Sequence, residues 1–257
     1  MKWRVVLVRP RNPLNIGAAA RAMANFGFDD LVVVEPFGPV WRETRSAVGA
    51  EDIIKTARAA GSLTEVIGDA TFVIGTTSGQ RRTLDRELMP LGELAAWTQN
   101  QLPRARTKAA RQAAILFGSE KTGLSNENMS YCHILVRIPT RPQCPSMNLG
   151  QAVAVCCYEI TREGPKVRVG KRGDQESAEN VMAPRERISP PANIQSIDHI
   201  FARAARVMDQ SGYLKEQSRQ AQLLRLRRAL IERRLTNSEA KMLGGLLAQI
   251  EWKFEHP

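Results

Sequence analysis

Residues 114–125 read Ala114-Ile115-Leu116-Phe117-Gly118-Ser119-Glu120-Lys121-Thr122-Gly123-Leu124-Ser125, four apolar positions running into a polar, glycine-bounded loop. So short an apolar run with turn residues behind it predicts a strand buried on both faces, as in the middle of a parallel sheet. Four more runs of this kind stand at residues 4–8, 31–34, 72–74 and 134–138. Between them, residues 16–26, 50–60, 90–99 and 147–161 read as helices. Strands alternating with helices predict an α/β fold, a parallel sheet flanked by helices.

The glycines of 118–125 stand at the spacing of a phosphate-binding Walker loop. Leu124 occupies the place of the required lysine and Glu120 puts an acid inside the loop, which argues against ATP hydrolysis. No G-x-G-x-x-G follows any predicted strand. That argues against the ordinary dinucleotide fold and the common glycine-rich methyltransferase loop.

A length of 257 residues fits one medium domain with a smaller attachment, and 43% hydrophobic with 25% charged residues excludes a disordered or membrane-spanning chain. The apolar run near Met1 is too short for a signal-peptide core and is interrupted by Arg9, so a cytoplasmic protein with no membrane partner is expected. Four cysteines without C-x-x-C spacing read as ordinary thiols, and three histidines argue against a metal hydrolase; no metal is expected.

The net charge of +11 favours a polyanionic partner. Residues 201–257 carry as much net positive charge as residues 1–160. Arg219, Arg225, Arg227, Arg228, Arg233 and Arg234 face one acid, Glu232, across 219–234, and arginine is the better phosphate fork. RNA or DNA is the natural partner, and a solvated helix face is the plain alternative. The stretch Arg104, Arg106, Lys108 and Arg111 either joins the same surface or is an ordinary exposed loop.

From residue 162 to 191 the hydrophobic pattern fades while Gly164, Pro165, Gly170, Gly173, Pro184, Pro190 and Pro191 accumulate, the composition of a linker. Beyond it, 194–208 and 217–234 have helical spacing, and Thr236-Asn237-Ser238-Glu239 is a capping box opening a last helix to about Phe254. The expected division is a first domain at 1–161, a linker at 162–191 and a small all-α basic extension at 192–257.

Three polar loops follow predicted strand ends, where open α/β sheets bind ligands. They cover residues 9–21, 117–125 and 138–149. In them the N-x-x-x-x-x-R of Asn15 and Arg21, the F-G-x-E-x-x-G-L at 117–124 and the S-x-N-L at 146–149 occur in order. These residues resemble the three motifs of the SpoU/TrmH branch of the SPOUT RNA methyltransferases. The run Gly75-Thr76-Thr77-Ser78-Gly79-Gln80-Arg81-Arg82 and the helical tail look like its TrmJ-type subgroup, which methylates ribose 2′-hydroxyls in the tRNA anticodon loop, typically at position 32. Met147 stands where the family usually has leucine, a volume-conserving exchange.

The resemblance implies a C-terminal trefoil knot in the sheet domain and a homodimer whose active site forms between subunits. It also implies S-adenosylmethionine as methyl donor, held by Thr76, Thr77, Ser78, Gly118, Leu124, Ile138, Pro145, Ser146 and Met147, with glycine at 118 permitting close approach to the ligand. Arg21 is the principal catalytic residue so implied. A guanidinium stays protonated, so its expected work is to hold a phosphate and stabilise developing alkoxide charge as the ribose oxygen attacks the methyl carbon. Asn15 would orient Arg21 or the ribose, Glu120 would fix a donor or an arginine, and Ser146 with Asn148 would complete the pocket. With tRNA as partner, Arg9, Arg11, Arg225, Arg227, Arg228, Arg233 and Arg234 are the expected RNA contacts. The alternatives are an enzyme of the same family acting on rRNA or another tRNA position, a non-catalytic RNA-binding module keeping the fold, and final helices that serve dimerisation.

Overall fold

The computed structural model describes residues 2–38, 41–79, 88–101, 112–162 and 189–256. The end of the run at 75–82, the basic stretch at 104–111 and most of the expected linker lie outside them.

Among the described residues, seven strands form one parallel sheet: β1 (Lys2–Val8), β2 (Asp30–Val34), β3 (Arg58–Ala60), β4 (Phe72–Thr76), β5 (Leu88–Pro90), β6 (Gln112–Phe117) and β7 (Ile134–Arg137). Their order is β3-β2-β1-β6-β4-β7-β5. The helices are α1 (Pro13–Asn25), α2 (Glu51–Thr56), α3 (Leu63–Ile67), α4 (Leu94–Gln101), α5 (Asn126–Ser130), α6 (Leu149–Arg162), α7 (Ile194–Gln210), α8 (Arg219–Glu232) and α9 (Asn237–Glu255). None of the described helices is long and apolar enough to cross a membrane.

All five predicted strands are present, and the reason they read as unbroken apolar runs is visible in the packing. Val5, Leu7, Leu31, Val33, Ile115 and Phe117 point to one core with α1, α2, α4 and α6. Their neighbours Val6, Val8, Val32, Val34, Ala114 and Leu116 point to a second core on the other face. Alternation between faces therefore places each of these residues in one core or the other.

The predicted helix at 50–60 does not persist. The Ala57 N–H bonds to the Ile53 carbonyl and closes α2, after which residues 58–60 pair with β2 at the sheet edge. The Arg58 guanidinium, 2.9 Å from Asp30, holds that edge in place. The short elements α3, α5 and β5 also went unread, because three to five residues are too few to show a period.

The second core is closed by the end of the chain. Ile194, Ile197 and Ile200 of α7 are buried against it, with Ile231 of α8 and Ala240 of α9. Backbone bonds fix the docking: Ile194 N to the Ala70 carbonyl at 3.0 Å and Gln195 N to the Gly68 carbonyl at 2.9 Å. The capping box foreseen at 236–239 is formed, Thr236 N donating to Glu239 Oε2 at 2.7 Å while the threonine hydroxyl accepts from Glu239 N. The three final helices thus bury their apolar residues in the core they share with one face of the sheet.

Ile197→Ala empties a site that is 4% exposed and is expected to lower stability by about 2–5 kcal/mol. Urea unfolding followed by far-ultraviolet circular dichroism should remain a single transition; separate early melting of the final helices would show that the core is not shared.

Candidate functional site

The loops after β1, β6 and β7 meet at one edge of the sheet, around the Glu120 carboxylate. Its Oε2 accepts from the Arg11 amide at 2.9 Å, and its Oε1 from the Asn12 amide at 3.3 Å and from Asn15 Nδ2 at 2.8 Å. Asn15 Oδ1 in turn accepts from Asn148 Nδ2 at 2.8 Å, and Asn148 Oδ1 accepts from the Gly150 amide at 2.9 Å. One chain of hydrogen bonds therefore joins the start of α1, the loop after β6 and the start of α6. Partial burial alone would raise the Glu120 pKa, but the bonds from Asn15, from its own backbone and from the amides of Arg11 and Asn12 hold it below the usual carboxylate range.

Local sequence dictates each end of this chain. Asn12 caps α1, its side chain accepting from the Leu14 amide at 2.9 Å with Pro13 at the first helical position. Asn148 plays the matching part at the start of α6, through its bond from the Gly150 amide. Gly118 is required inside its own loop: a Cβ there would stand 2.1 Å from the Gly123 carbonyl carbon and from the Leu124 nitrogen. The close approach seen at this position is to the chain itself. Gly123, at φ 66°, closes the loop through its amide bond to the Ser119 carbonyl at 2.7 Å.

A cavity of about 270 Å³ opens between this loop, the run after β4 and the loop after β7. Thr76, Thr77, Ser78, Gly118, Leu124, Ile138, Pro145, Ser146 and Met147 all line it, as does Glu120. Also lining it, and not foreseen, are Phe117, Ser119, Val136, Thr140, Leu149 and Ala152. Each adjoins a motif position or lies on its face, and that adjacency was the available signal. Thr76 Oγ1 donates to the Leu116 carbonyl at 2.8 Å, tying β4 to β6 at the cavity mouth. Thr140 Oγ1 donates to the Pro145 carbonyl at 3.1 Å and closes the third loop on itself.

Arg21 is elsewhere. It is exposed on α1, six residues beyond Asn15 and therefore about 9 Å further along the helix axis, and it is not among the cavity's lining residues. The expected RNA arginines divide likewise. Arg9, Arg11, Arg225 and Arg233 are exposed, and Arg228 is half-buried. Arg227 instead turns inward, its guanidinium 4.4 Å from the Tyr131 ring centre and 4.1 Å from that of Phe201, with Asp198 at 3.9 Å. Arg234 lies over Trp97 at 4.6 Å. These two pack α8 and its end against α7, the end of α5 and α4, a use that a charge run alone does not reveal.

Residues 2–158 match the family described as the SpoU rRNA Methylase family. The chain belongs to that family. It is accordingly an RNA methylase, as its motifs implied. It is 31% identical to the tRNA (cytidine/uridine/adenosine-2′-O-)-methyltransferase TrmJ of Pseudomonas aeruginosa, over 96% of this chain and 93% of that one. It is 28% identical to the tRNA (cytidine/uridine-2′-O-)-methyltransferase TrmJ of Yersinia enterocolitica, over 99% and 93%. The crystal structure of TrmJ from Z. mobilis matches with a TM-score of 0.79 at 26% identity, covering 98% of this chain and 100% of that one.

Glu120→Gln removes an acceptor from amides that a neutral side chain serves less well, and is expected to cost about 1 kcal/mol, the usual charged-bond value reduced for exposure. Because the folded carboxyl titrates below its ordinary value, its contribution is complete above the ordinary carboxylate range and fades as pH falls through the depressed value. The stability difference between wild type and variant, from urea titrations at stepped pH, should shrink on acidification; a difference that widens would contradict the hydrogen-bonded carboxylate.

Proposed function

We propose that the protein transfers a methyl group from S-adenosylmethionine to a ribose 2′-hydroxyl of tRNA, at position 32 of the anticodon loop. The observation that carries this reading is the convergence of the run after β4 and the polar loops after β6 and β7 on one cavity, the latter two being tied to the start of α1 through Glu120, Asn15 and Asn148. The TrmJ names of relatives that match nearly the whole chain support tRNA as substrate.

The lining fits such a donor. Leu124, Val136, Ile138, Met147 and Leu149 offer apolar contact to a flat base, while Thr76, Thr77 and Ser78 offer hydroxyls and backbone groups to a sugar and a charged tail. When bound, the donor supplies a methyl group already activated by its sulfonium charge. What the protein adds is positioning and charge stabilisation. Glu120 and Asn15 spend their hydrogen bonds on each other and on the loops, so their role here is to hold the cleft in shape. Arg21 has no partner among the described residues, and its guanidinium is available to grip a phosphate and stabilise the developing alkoxide.

The separation of Arg21 from the cavity supports a homodimer in which α1 of a second copy completes the site. Leu14, 53% exposed, shares the outer side of α1 with Arg21, and Tyr158 on the adjoining α6 is 51% exposed. We read the segment after β7 as threaded into the trefoil knot of this family, residues 1–161 as the methyltransferase domain, and the exposed arginines of 192–257 as phosphate contacts that give affinity without base identity.

Purified protein incubated with S-adenosylmethionine and tRNA should yield 2′-O-methylcytidine or 2′-O-methyluridine at position 32 by mass-spectrometric mapping. Methylation of rRNA alone, or of another tRNA position, would overturn the assignment. Arg21→Ala should reduce single-turnover transfer on the order of 100–1,000-fold while calorimetric donor affinity stays near wild type. Near-normal transfer by the variant would remove Arg21 from its role.

A further inference from the structure

Beside the cleft stands an aromatic side chain that neither packing nor the donor site uses. Phe37 is 68% exposed, more than any other large hydrophobic residue described. Its location is fixed by backbone: the Phe37 amide donates to the Pro10 carbonyl at 3.1 Å, and the residue after Pro10, Arg11, donates its own amide to Glu120. Phe37 is therefore one peptide unit from the loop that anchors the cleft. The Arg11 guanidinium lies over the ring, 5.2 Å from its centre.

The backbone that produces this pairing is unusual. Arg9 and Glu35, the residues just after β1 and β2, both adopt left-handed conformations, φ 54° and 46°, which side-chain-bearing residues rarely take. Amide bonds from Arg9 to the Val34 carbonyl at 2.8 Å and from Glu35 to the Ala60 carbonyl at 2.9 Å hold them there, and their side chains pair at 3.4 Å. Two adjacent strand ends thus turn sharply together and set Arg11 and Phe37 side by side at the rim. Such conformations persist only where surrounding structure enforces them, and they gather at functional sites.

We infer that Phe37 is a stacking platform for a nucleobase of the RNA substrate, next to the methylated nucleotide, with Arg11 and Arg9 meeting the adjoining phosphates. This rests on the proposed RNA methylation. An exposed ring beside guanidinium groups, at the mouth of a cleft on a strongly basic protein, has the chemistry that single-stranded loops meet: a π-face for the base and cations for the backbone. Every base has such a face, so the platform positions the loop without selecting its sequence.

The test compares wild type with Phe37→Ala, Phe37→Leu and Phe37→Trp. Binding of a fluorescein-labelled, unmodified tRNA transcript is read by anisotropy at several salt concentrations, with methylation kinetics measured alongside. Alanine and leucine should weaken tRNA binding and raise its KM roughly 5- to 150-fold, tryptophan should restore both, and donor affinity should not change. The salt dependence of binding should keep its slope in all three, because the phosphate contacts are retained. Binding by Phe37→Ala within twofold of wild type, equal recovery by leucine and tryptophan, or an altered oligomeric state in size-exclusion chromatography would each overturn the platform. Failure of the wild type to methylate tRNA would instead remove the proposed function, and the binding comparison would still read the platform directly.

Discussion

The site depends on a carboxylate held by amides. Glu120 gathers the Arg11 and Asn12 N–H groups and the Asn15 side chain, and Asn15 passes the connection to Asn148 at the start of α6. The residues so joined are more than a hundred positions apart in the chain, and no apolar contact could set three loops in register at this precision, because hydrophobic burial has no direction. The ionised state suits this role, since a carboxylate offers acceptors only and here all its named partners are donors. Two walls of the cavity, the loops after β6 and β7, are held by that arrangement.

Much of the fold was legible because burial on two faces leaves a plain mark. Five apolar runs became five strands, and helical spacing placed α1, α4, α6 and the three final helices close to their observed bounds. The failures share a cause. Residues 58–60 lie in an alanine-rich stretch whose period does not separate edge strand from helix, and pairing with β2, helped by the reach of Arg58 to Asp30, settles the matter. Arg4, within an apolar strand, is buried because Asp30, Asp69 and the Val66 carbonyl surround its guanidinium. All three come from later segments, which residues 2–8 could not disclose.

The site was legible in a different way. Nine positions carried over from motif resemblance line one cavity, Gly118 has a further reason inside its own loop, and Arg21 stands apart from the rest. Spacing along a chain identifies which residue types travel together. It does not say which of them spend their hydrogen bonds on one another, as Asn15 does, and which remain open to a partner. The arginines of α8 show the same limit: Arg225 and Arg233 face water, whereas Arg227 lies between two rings.

The seating of Ile194, Ile197 and Ile200 on the sheet also bears on how the basic tail can be studied or could have been acquired. Cutting the chain before α7 would remove Ile194, Ile197, Ile200, Ile231 and Ala240 from the core that holds Val6, Val32 and Leu116 and open it to water, so shortened proteins would report aggregation in place of weakened RNA affinity. Neutralising Arg225 and Arg233 singly, with the helices left in place, separates charge from scaffold. By the same token, a relative that lost these helices would have to repaint the uncovered strands with polar residues or recruit another covering.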